Sequence, residues 1–244
     1  MWMLFIVREF VADALAQTLE EKFARVYTAN QQQGEFDVSA SAMAQRALKN
    51  CALAYLARTG KSEWLASCKA QYDSAGNMTD QFAALRALVH STAEEGQALG
   101  AEALEEFFQQ WQHEALVVDQ WFAVQAVNPR NDALESVIEL MEHSAFSIKN
   151  PNKVRSLIGA FCGQNHVNFH ALSGAGYEFL ADRVIELDKL NPQIASRLIT
   201  PLTRWKKYDS KRQALMQAQL QRIKATPDLS KDAFEVVEKS TVTL

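Results

Sequence analysis

Three polar side chains interrupt stretches that are otherwise apolar and have helical periodicity: Arg155, Gln193 and Arg197. Arg155 follows Val154, and Gly159 one turn later leaves open space beside it. Gln193 and Arg197 are four residues apart, so they share one face of a helix. Arginines that flank a groove can bind a carboxylate through bidentate hydrogen bonds. The alternative is that both arginines extend into solvent or form surface ion pairs, and the residue types alone do not decide between the two.

A second candidate for chemistry is the pair His166 and His170, whose spacing is that of the histidines in the zinc-binding motif HExxH. That motif needs a glutamate after the first histidine as general base, and a regular helix that presents both imidazoles on one face. Val167 occupies the glutamate position, and residues 163–176 are predicted to form a long irregular loop. We therefore expect these histidines to form hydrogen bonds within a loop, and no metal site is predicted.

The sequence contains no GxSxG motif and no glycine-rich phosphate loop. Its cysteines, Cys51, Cys68 and Cys162, are far apart and lie among apolar residues, which predicts reduced, buried thiols in a cytoplasmic protein. No catalytic residue and no cofactor is therefore predicted within this chain.

The composition also limits the partners. Of the 244 residues 48% are hydrophobic and 22% are charged, and the net charge is −4, which does not favour a nucleic-acid partner. The basic stretch at residues 204–212 is interpreted as a solvated helix end. The apolar run at residues 1–7 is far shorter than the roughly 20 residues that span a bilayer, so no membrane partner is expected.

The pattern of apolar residues predicts the fold. Glycine (9) and proline (5) are scarce, and apolar residues recur at three- and four-residue steps along nearly the whole chain. Asn-Pro pairs begin at Asn128, Asn150 and Asn191, and each asparagine is predicted to cap a helix that its proline begins. Further signals in the first half of the chain are an apolar stripe that predicts a helix from about Val7 to Asn30, candidate caps at Ser39 or Ser41 and at Asn77, and a helix end at Gly60. We predict a single all-α domain over residues 1–244, a superhelical stack of antiparallel helix pairs of the HEAT or armadillo type.

Several segments resemble the C-terminal domain of bacterial aminopeptidase N. They are residues 77–80 (NMTD), 118–122 (VDQWF), 150–161 (NPNKVRSLIGAF), 191–199 (NPQIASRLI) and 208–213 (YDSKRQ). The resemblance runs from about residue 8 to about residue 224, whereas residues 1–7 and the tail after Thr226 depart from the family pattern.

The resemblance implies a part of an enzyme. Members of this family are zinc exopeptidases that remove N-terminal residues from peptides, and their catalytic domain carries HExxH and a GAMEN segment, neither of which occurs in this chain. The zinc and the catalytic domain would therefore lie elsewhere in the same polypeptide, which becomes the expected partner. In the family, the helical domain closes over the catalytic domain and encloses the active-site chamber.

The resemblance also implies a role for the polar residues described first. The family positions that match Arg155, Gln193 and Arg197 face the chamber, where they would hold the distal part of a bound peptide, including its carboxylate. The alternative function is a free-standing helical-repeat scaffold whose concave face binds a protein partner. An HExxH-containing region upstream in the reading frame would favour the enzyme.

Overall fold

The structure is a computed structural model that describes residues 2–32, 34, 36–130 and 132–241. Within these ranges all regular structure is helical and no strand occurs, which confirms the predicted all-α fold. The chain divides into two compact units, one of residues 6–112 and the other of residues 113–244 together with residues 1–5. The single domain over residues 1–244 stays a prediction.

The first unit is built from helices that pack against their neighbours in the sequence. α2 packs on α3, α4 on α5, and α5 on α6. The helices are α1 (Trp2–Thr18, of which residues 6–18 belong to this unit), α2 (Glu20–Ala29), α3 (Ala40–Arg58), α4 (Ser62–Ser74), α5 (Met78–Val89) and α6 (Glu94–Trp111). The core between them contains Leu56, Leu65, Leu88 and Phe107, all fully buried.

Helix ends in this unit follow the predicted signals at three positions. The Ser39 hydroxyl accepts a hydrogen bond from the Ala42 amide, and the Asn77 side chain accepts one from the Asp80 amide, so both residues are N-caps. Gly60 follows the end of α3 with a φ of +70°, a conformation that glycine adopts without a steric penalty. The predicted single helix from Val7 to Asn30 is instead two helices, because the chain turns between α1 and α2.

The second unit contains longer helices interleaved with single turns. Its elements are α7 (Ala115–Ala126), α8 (Ala133–Met141), α9 (Pro151–Val154), a π-helical turn (Arg155–Gly159), α10 (Ala160–Gln164), α11 (His166–Phe169), α12 (Ala175–Asp188), α13 (Pro192–Leu198), α14 (Thr200–Thr203), a 3-10 turn (Trp205–Lys207), α15 (Ser210–Lys224) and α16 (Lys231–Thr241). α12 packs against α13 and α15, and α16 packs against α13 and α15.

Two predictions about loops and caps in this unit are wrong. The segment 163–176 is not one irregular loop, because the Asn165 side chain accepts a hydrogen bond from the Asn168 amide and caps the one-turn helix α11. Asn128 does not cap a helix. Its side chain accepts from the Arg130 amide in a turn, and α8 begins only at Ala133.

The cysteine prediction is correct in two cases of three. Cys68 and Cys162 are buried, whereas Cys51 is exposed on the surface of α3. All three are free thiols. Among the described residues, no helix combines the length and the apolar character needed to cross a bilayer.

Candidate functional site

Helix α13 positions Gln193 and Arg197. The Asn191 side chain accepts a hydrogen bond from the Ile194 amide at 3.2 Å, and Pro192 occupies the first turn, so the predicted cap is confirmed. Ala195 and Leu198 are buried on the side of α13 that packs against the rest of the unit. Gln193 and Arg197, one helical turn apart, are both exposed.

The guanidinium of Arg197 forms no hydrogen bond or ion pair with any residue in the described ranges. Its backbone carbonyl accepts a hydrogen bond from the Thr200 hydroxyl at 2.7 Å, which fixes the end of α13. An exposed arginine on a capped helix keeps its five N–H donors available for a ligand.

Arg155 lies on a different helical segment. Asn150 caps that segment by accepting from the Asn152 amide at 2.9 Å, as predicted. The chain then leaves α-helical geometry for one π-helical turn, which begins at Arg155 and ends at Gly159. Such turns insert an extra residue, change the direction of the side chains that follow, and are often found at functional sites.

The π-helical turn is held rigidly by its neighbours. Lys153 is buried, and its ammonium donates to the Asp119 carboxylate at 2.7 Å and to the Ala115 carbonyl at 3.0 Å. Both acceptors belong to α7. Leu157 and Ile158 are fully buried, while Arg155 is exposed and donates to the Asn152 side chain.

The structure thus places the predicted residues in two groups. Gln193 and Arg197 lie together on α13, which packs against α12 and α16. Arg155 lies on the π-helical turn, which packs against α7 and α8. No hydrogen bond or ion pair joins Arg155 to α13 within the described ranges. Their use of one common ligand stays a prediction.

A buried cluster around His170 was not predicted from the sequence. Its Nδ1 lies 2.9 Å from the Tyr177 hydroxyl, and its Nε2 lies 2.8 Å from the Tyr208 hydroxyl. The Arg212 Nε donates to the His170 carbonyl at 2.7 Å. The partial signal was the motif at residues 208–213, which contains two of these residues, although it does not indicate their partner.

The surroundings of His170 keep its imidazole neutral. Burial, with the nearby charges of His166 and Arg212, lowers the pKa of His170 to about 3. A neutral imidazole has one donor and one acceptor nitrogen, so one tyrosine accepts a hydrogen bond from the ring and the other donates to it. The expected hydrogen bonding of this histidine is therefore present: His170 lies in the connection between α11 and α12, and its ring is buried in the core.

The same geometry bears on metal binding. Both ring nitrogens of His170 are engaged by tyrosine hydroxyls, so the ring is not free to bind a metal ion together with His166. The described part of the chain holds no group of three or more histidine, cysteine, aspartate or glutamate side chains that could bind one. The residues present therefore do not fit a zinc ion.

The buried cysteines are also unsuited to nucleophilic chemistry. Burial raises the pKa of the Cys68 thiol to about 12 and that of the Cys162 thiol well above its usual value. A thiol becomes a good nucleophile only as the thiolate, so both side chains are unreactive at neutral pH.

Comparison with known proteins gives the family. Residues 2–242 match the family described as a domain of unknown function (DUF3458_C) with ARM repeats. The chain belongs to this family. The ARM-repeat description agrees with the predicted stack of helices.

Curated relatives confirm the resemblance to the C-terminal domain of aminopeptidase N. The chain is 42% identical over 234 residues to aminopeptidase N of Haemophilus influenzae, and 42% identical over 236 residues to aminopeptidase N of Escherichia coli. Each match covers 96% of this chain but only 26% of the relative. The chain thus spans about a quarter of the length of these relatives.

A solved structure shows the same arrangement of helices. The match is a crystal structure of Legionella pneumophila aminopeptidase A in complex with aspartic acid, with a TM-score of 0.84 and 32% sequence identity. It covers 96% of this chain and 28% of the Legionella chain. In both comparisons this ARM-repeat chain is similar to one part of a much longer protein.

Proposed function

We propose that this chain is the C-terminal helical domain of a cytoplasmic zinc aminopeptidase. In this proposal its two units belong to one domain, which closes over a catalytic domain of the same polypeptide and forms a wall of the substrate chamber. The zinc ion and the bond-breaking groups lie in the catalytic domain. The three free cysteines agree with a reducing compartment.

One observation carries the proposal for this chain's own residues. Arg197 presents an exposed guanidinium without a partner among the described residues, one turn from Gln193, on a helix whose cap and buried side fix its position. Exposed arginines often pair with a neighbouring carboxylate, as Arg25 does with Glu21 at 3.6 Å. Arg197 is instead available to an anionic ligand, and the carboxylate of a peptide is such a ligand.

The proposed contribution to catalysis is positioning. A contact to the distal end of a peptide orients the scissile bond at a centre that lies elsewhere, and it lowers the barrier to the extent that it holds a reactive geometry. Arg155 and Gln193 would contribute further hydrogen bonds to the peptide backbone or its terminus. None of these three residues takes part in bond cleavage.

The test uses Arg197→Ala in the longer polypeptide that contains this chain. Two substrates are compared: a peptide of three to five residues and a single-residue chromogenic amide, which is too short to reach a distal site. We expect kcat/KM for the peptide to fall at least about tenfold, because a charge-assisted hydrogen bond is lost, while the chromogenic amide is hydrolysed at an unchanged rate.

Arg25→Ala is the matched control, since Arg25 is also an exposed arginine but is ion-paired on α2. Arg25→Ala should leave the hydrolysis of both substrates unchanged. An equal effect of Arg197→Ala on both substrates, or no effect on either, contradicts the positioning role.

A further inference from the structure

Helix α1 presents an apolar face to solvent. Ile6, Val7, Phe10, Val11 and Leu15 are all exposed, and Phe10 retains 71% of its accessible surface. They are linked by steps of three or four residues (6 to 10, 7 to 10, 7 to 11 and 11 to 15), which places them in a continuous stripe along one side of the helix. A contiguous apolar stripe of this kind is uncommon on the surface of a soluble protein and marks a contact surface.

The opposite side of α1 faces the protein with small side chains and ion pairs. Ala16 is fully buried on this side. Arg58 of α3 bonds to the Glu9 carboxylate at 2.8 Å and to the Asp13 carboxylate at 2.8 Å, and all three side chains keep part of their surface exposed. The larger apolar side chains of α1 therefore lie on its solvent side, whereas a surface helix usually buries them.

Further contacts fix this orientation at the junction with α2. Glu20 accepts hydrogen bonds from the Lys61 ammonium at 2.7 Å and from the Trp64 indole N–H at 2.8 Å. Acidic residues before and after the turn are thus paired with Arg58 of α3, with Lys61 just before α4 and with Trp64 of α4, so turning the apolar stripe inward would break these contacts.

Helix α16 has a charged outer side, in contrast to α1. In α16, Ala233 and Val237 are buried, while Glu235 on the outer side pairs with Lys231 and Lys239. Terminal repeats of helical arrays require such polar outer faces for solubility, whereas internal repeats bury apolar faces against the next repeat. α16 has such a polar outer side, although Phe234 is 42% exposed, whereas the outer side of α1 is apolar.

We propose that the apolar face of α1 is covered by another helix of the longer polypeptide, stacked on it as one ARM repeat stacks on the next. This inference rests on the proposed function, in which the chain is one part of a polypeptide like its relatives, of which it spans 26%. The covering helix presents aliphatic and aromatic residues and no charge opposite Phe10. A covalently attached helix acts at a high effective concentration, so it excludes a second copy of the chain from this face.

The test measures the accessibility of a thiol placed in the stripe. Val11→Cys is introduced into a Cys51→Ser background, because Cys51 is the exposed natural cysteine and the other two are buried. Labelling by a soluble maleimide is then timed in the 244-residue chain and in the longer polypeptide. We expect labelling at least about tenfold slower in the longer polypeptide.

Lys231→Cys in the same background is the matched control, since it lies on the charged outer side of α16. It should react at the same rate in both proteins. Phe10→Cys tests a second position in the stripe. If labelling is slow at both positions, a local effect at residue 11 does not explain the result.

Two outcomes overturn the inference. One is equally fast labelling of Val11→Cys in both proteins. The other is slow labelling of the 244-residue chain alone that becomes faster on dilution, which would show that a second copy covers the face. Fast labelling combined with the expected loss of peptide hydrolysis in Arg197→Ala refutes only the covered face. Slow labelling without that loss refutes only the proposed function.

Discussion

Arg197 and Arg212 are chemically identical side chains in two environments of the same unit. Arg212, on α15, is buried, and its guanidinium donates to the His170 carbonyl and to the Asp209 carboxylate, each at 2.7 Å. Arg197, on α13, is exposed and has no such partner among the described residues. Both helices begin with a side-chain cap, Asp209 for α15 and Asn191 for α13.

Because their burial and partners differ, the two arginines have different roles. A buried guanidinium must be paired and hydrogen-bonded, because an unpaired charge inside a protein is strongly unfavourable. Arg212 therefore holds α15 to the His170 cluster and is buried away from any ligand in solvent. Arg197 contributes little to stability and is free to bind one. Both belong to segments that resemble the aminopeptidase N family, so sequence similarity alone does not separate them.

The largest expected effect is on the buried member of the pair. Arg212→Ala leaves the His170 carbonyl without its donor and removes the guanidinium contact to Asp209, although the backbone amide of residue 212 still donates to that carboxylate. We expect the free energy of unfolding to fall by about 3 kcal/mol. Urea denaturation at pH 7.5 measures this change.

Arg212→Lys is the control for this substitution. It keeps the charge but lacks the planar fork that reaches two acceptors, so it should recover only part of the loss. Full recovery by lysine, or a loss below about 1 kcal/mol for alanine, would contradict the structural role of Arg212.

The next effect concerns the pH dependence of the cluster that Arg212 holds. His170 has a pKa of about 3 in the folded protein and about 6.5 when unfolded. As the pH falls below about 6.5, the unfolded chain binds a proton that the folded chain does not, so stability falls. Well above pH 6.5 the ring is neutral in both states, so it causes no loss of stability. Between pH 6.5 and pH 5 the free energy of unfolding falls by about 2 kcal/mol.

Urea denaturation between pH 7.5 and pH 5 compares the protein with His170→Gln, which should show a smaller slope of stability against pH. Carboxylates with lowered pKa values, such as Asp80, contribute below this range. An unchanged slope in His170→Gln would show that the ring is not held neutral by its surroundings.

A smaller effect is expected at the start of α13. Asn191→Ala removes the side-chain acceptor of the Ile194 amide, which should cost about 1 kcal/mol of stability. Because the same cap fixes the direction of Gln193 and Arg197, KM for peptides should also rise in the longer polypeptide. Asn191→Ser, which can still cap, serves as the control and should restore both quantities.

The smallest effect on stability is expected for the exposed arginine. Arg197→Ala should change the free energy of unfolding by less than about 0.5 kcal/mol, as is usual for exposed positions without partners. Urea denaturation under the conditions used for Arg212→Ala gives the direct comparison. A loss as large as that of Arg212→Ala would show that Arg197 is structural and would remove the contrast between the two residues.

The sequence predicted the features that depend on local chemistry. Asn77, Asn150 and Asn191 were expected to cap helices and do so, because a cap involves only residues two or three positions apart. The exposure of Arg197 followed from helical periodicity, which places it on the side opposite the buried Leu198 and Ala195. The all-α fold followed from the same periodicity.

The features that were missed depend on distant partners. Asn165 was assigned to a loop, yet its amide donates to the carbonyls of Ala126 and Asn128, nearly forty residues away, at 3.0 Å and 2.7 Å. The His170 cluster joins α12 and the start of α15, and no local pattern encodes that contact. The π-helical turn at Arg155 packs against α7 and α8, and no motif in its sequence predicted the change from α-helical geometry.

The most direct test of the account measures the interaction between Arg197 and a carboxylate. In the longer polypeptide, kcat/KM is determined for a short peptide with a free C-terminus and for the same peptide with an amidated C-terminus, with arginine or alanine at position 197. A charge-assisted hydrogen bond predicts that Arg197→Ala lowers kcat/KM for the free acid by about 10- to 100-fold and for the amide by less than about twofold. Equal losses for the two peptides would contradict the account.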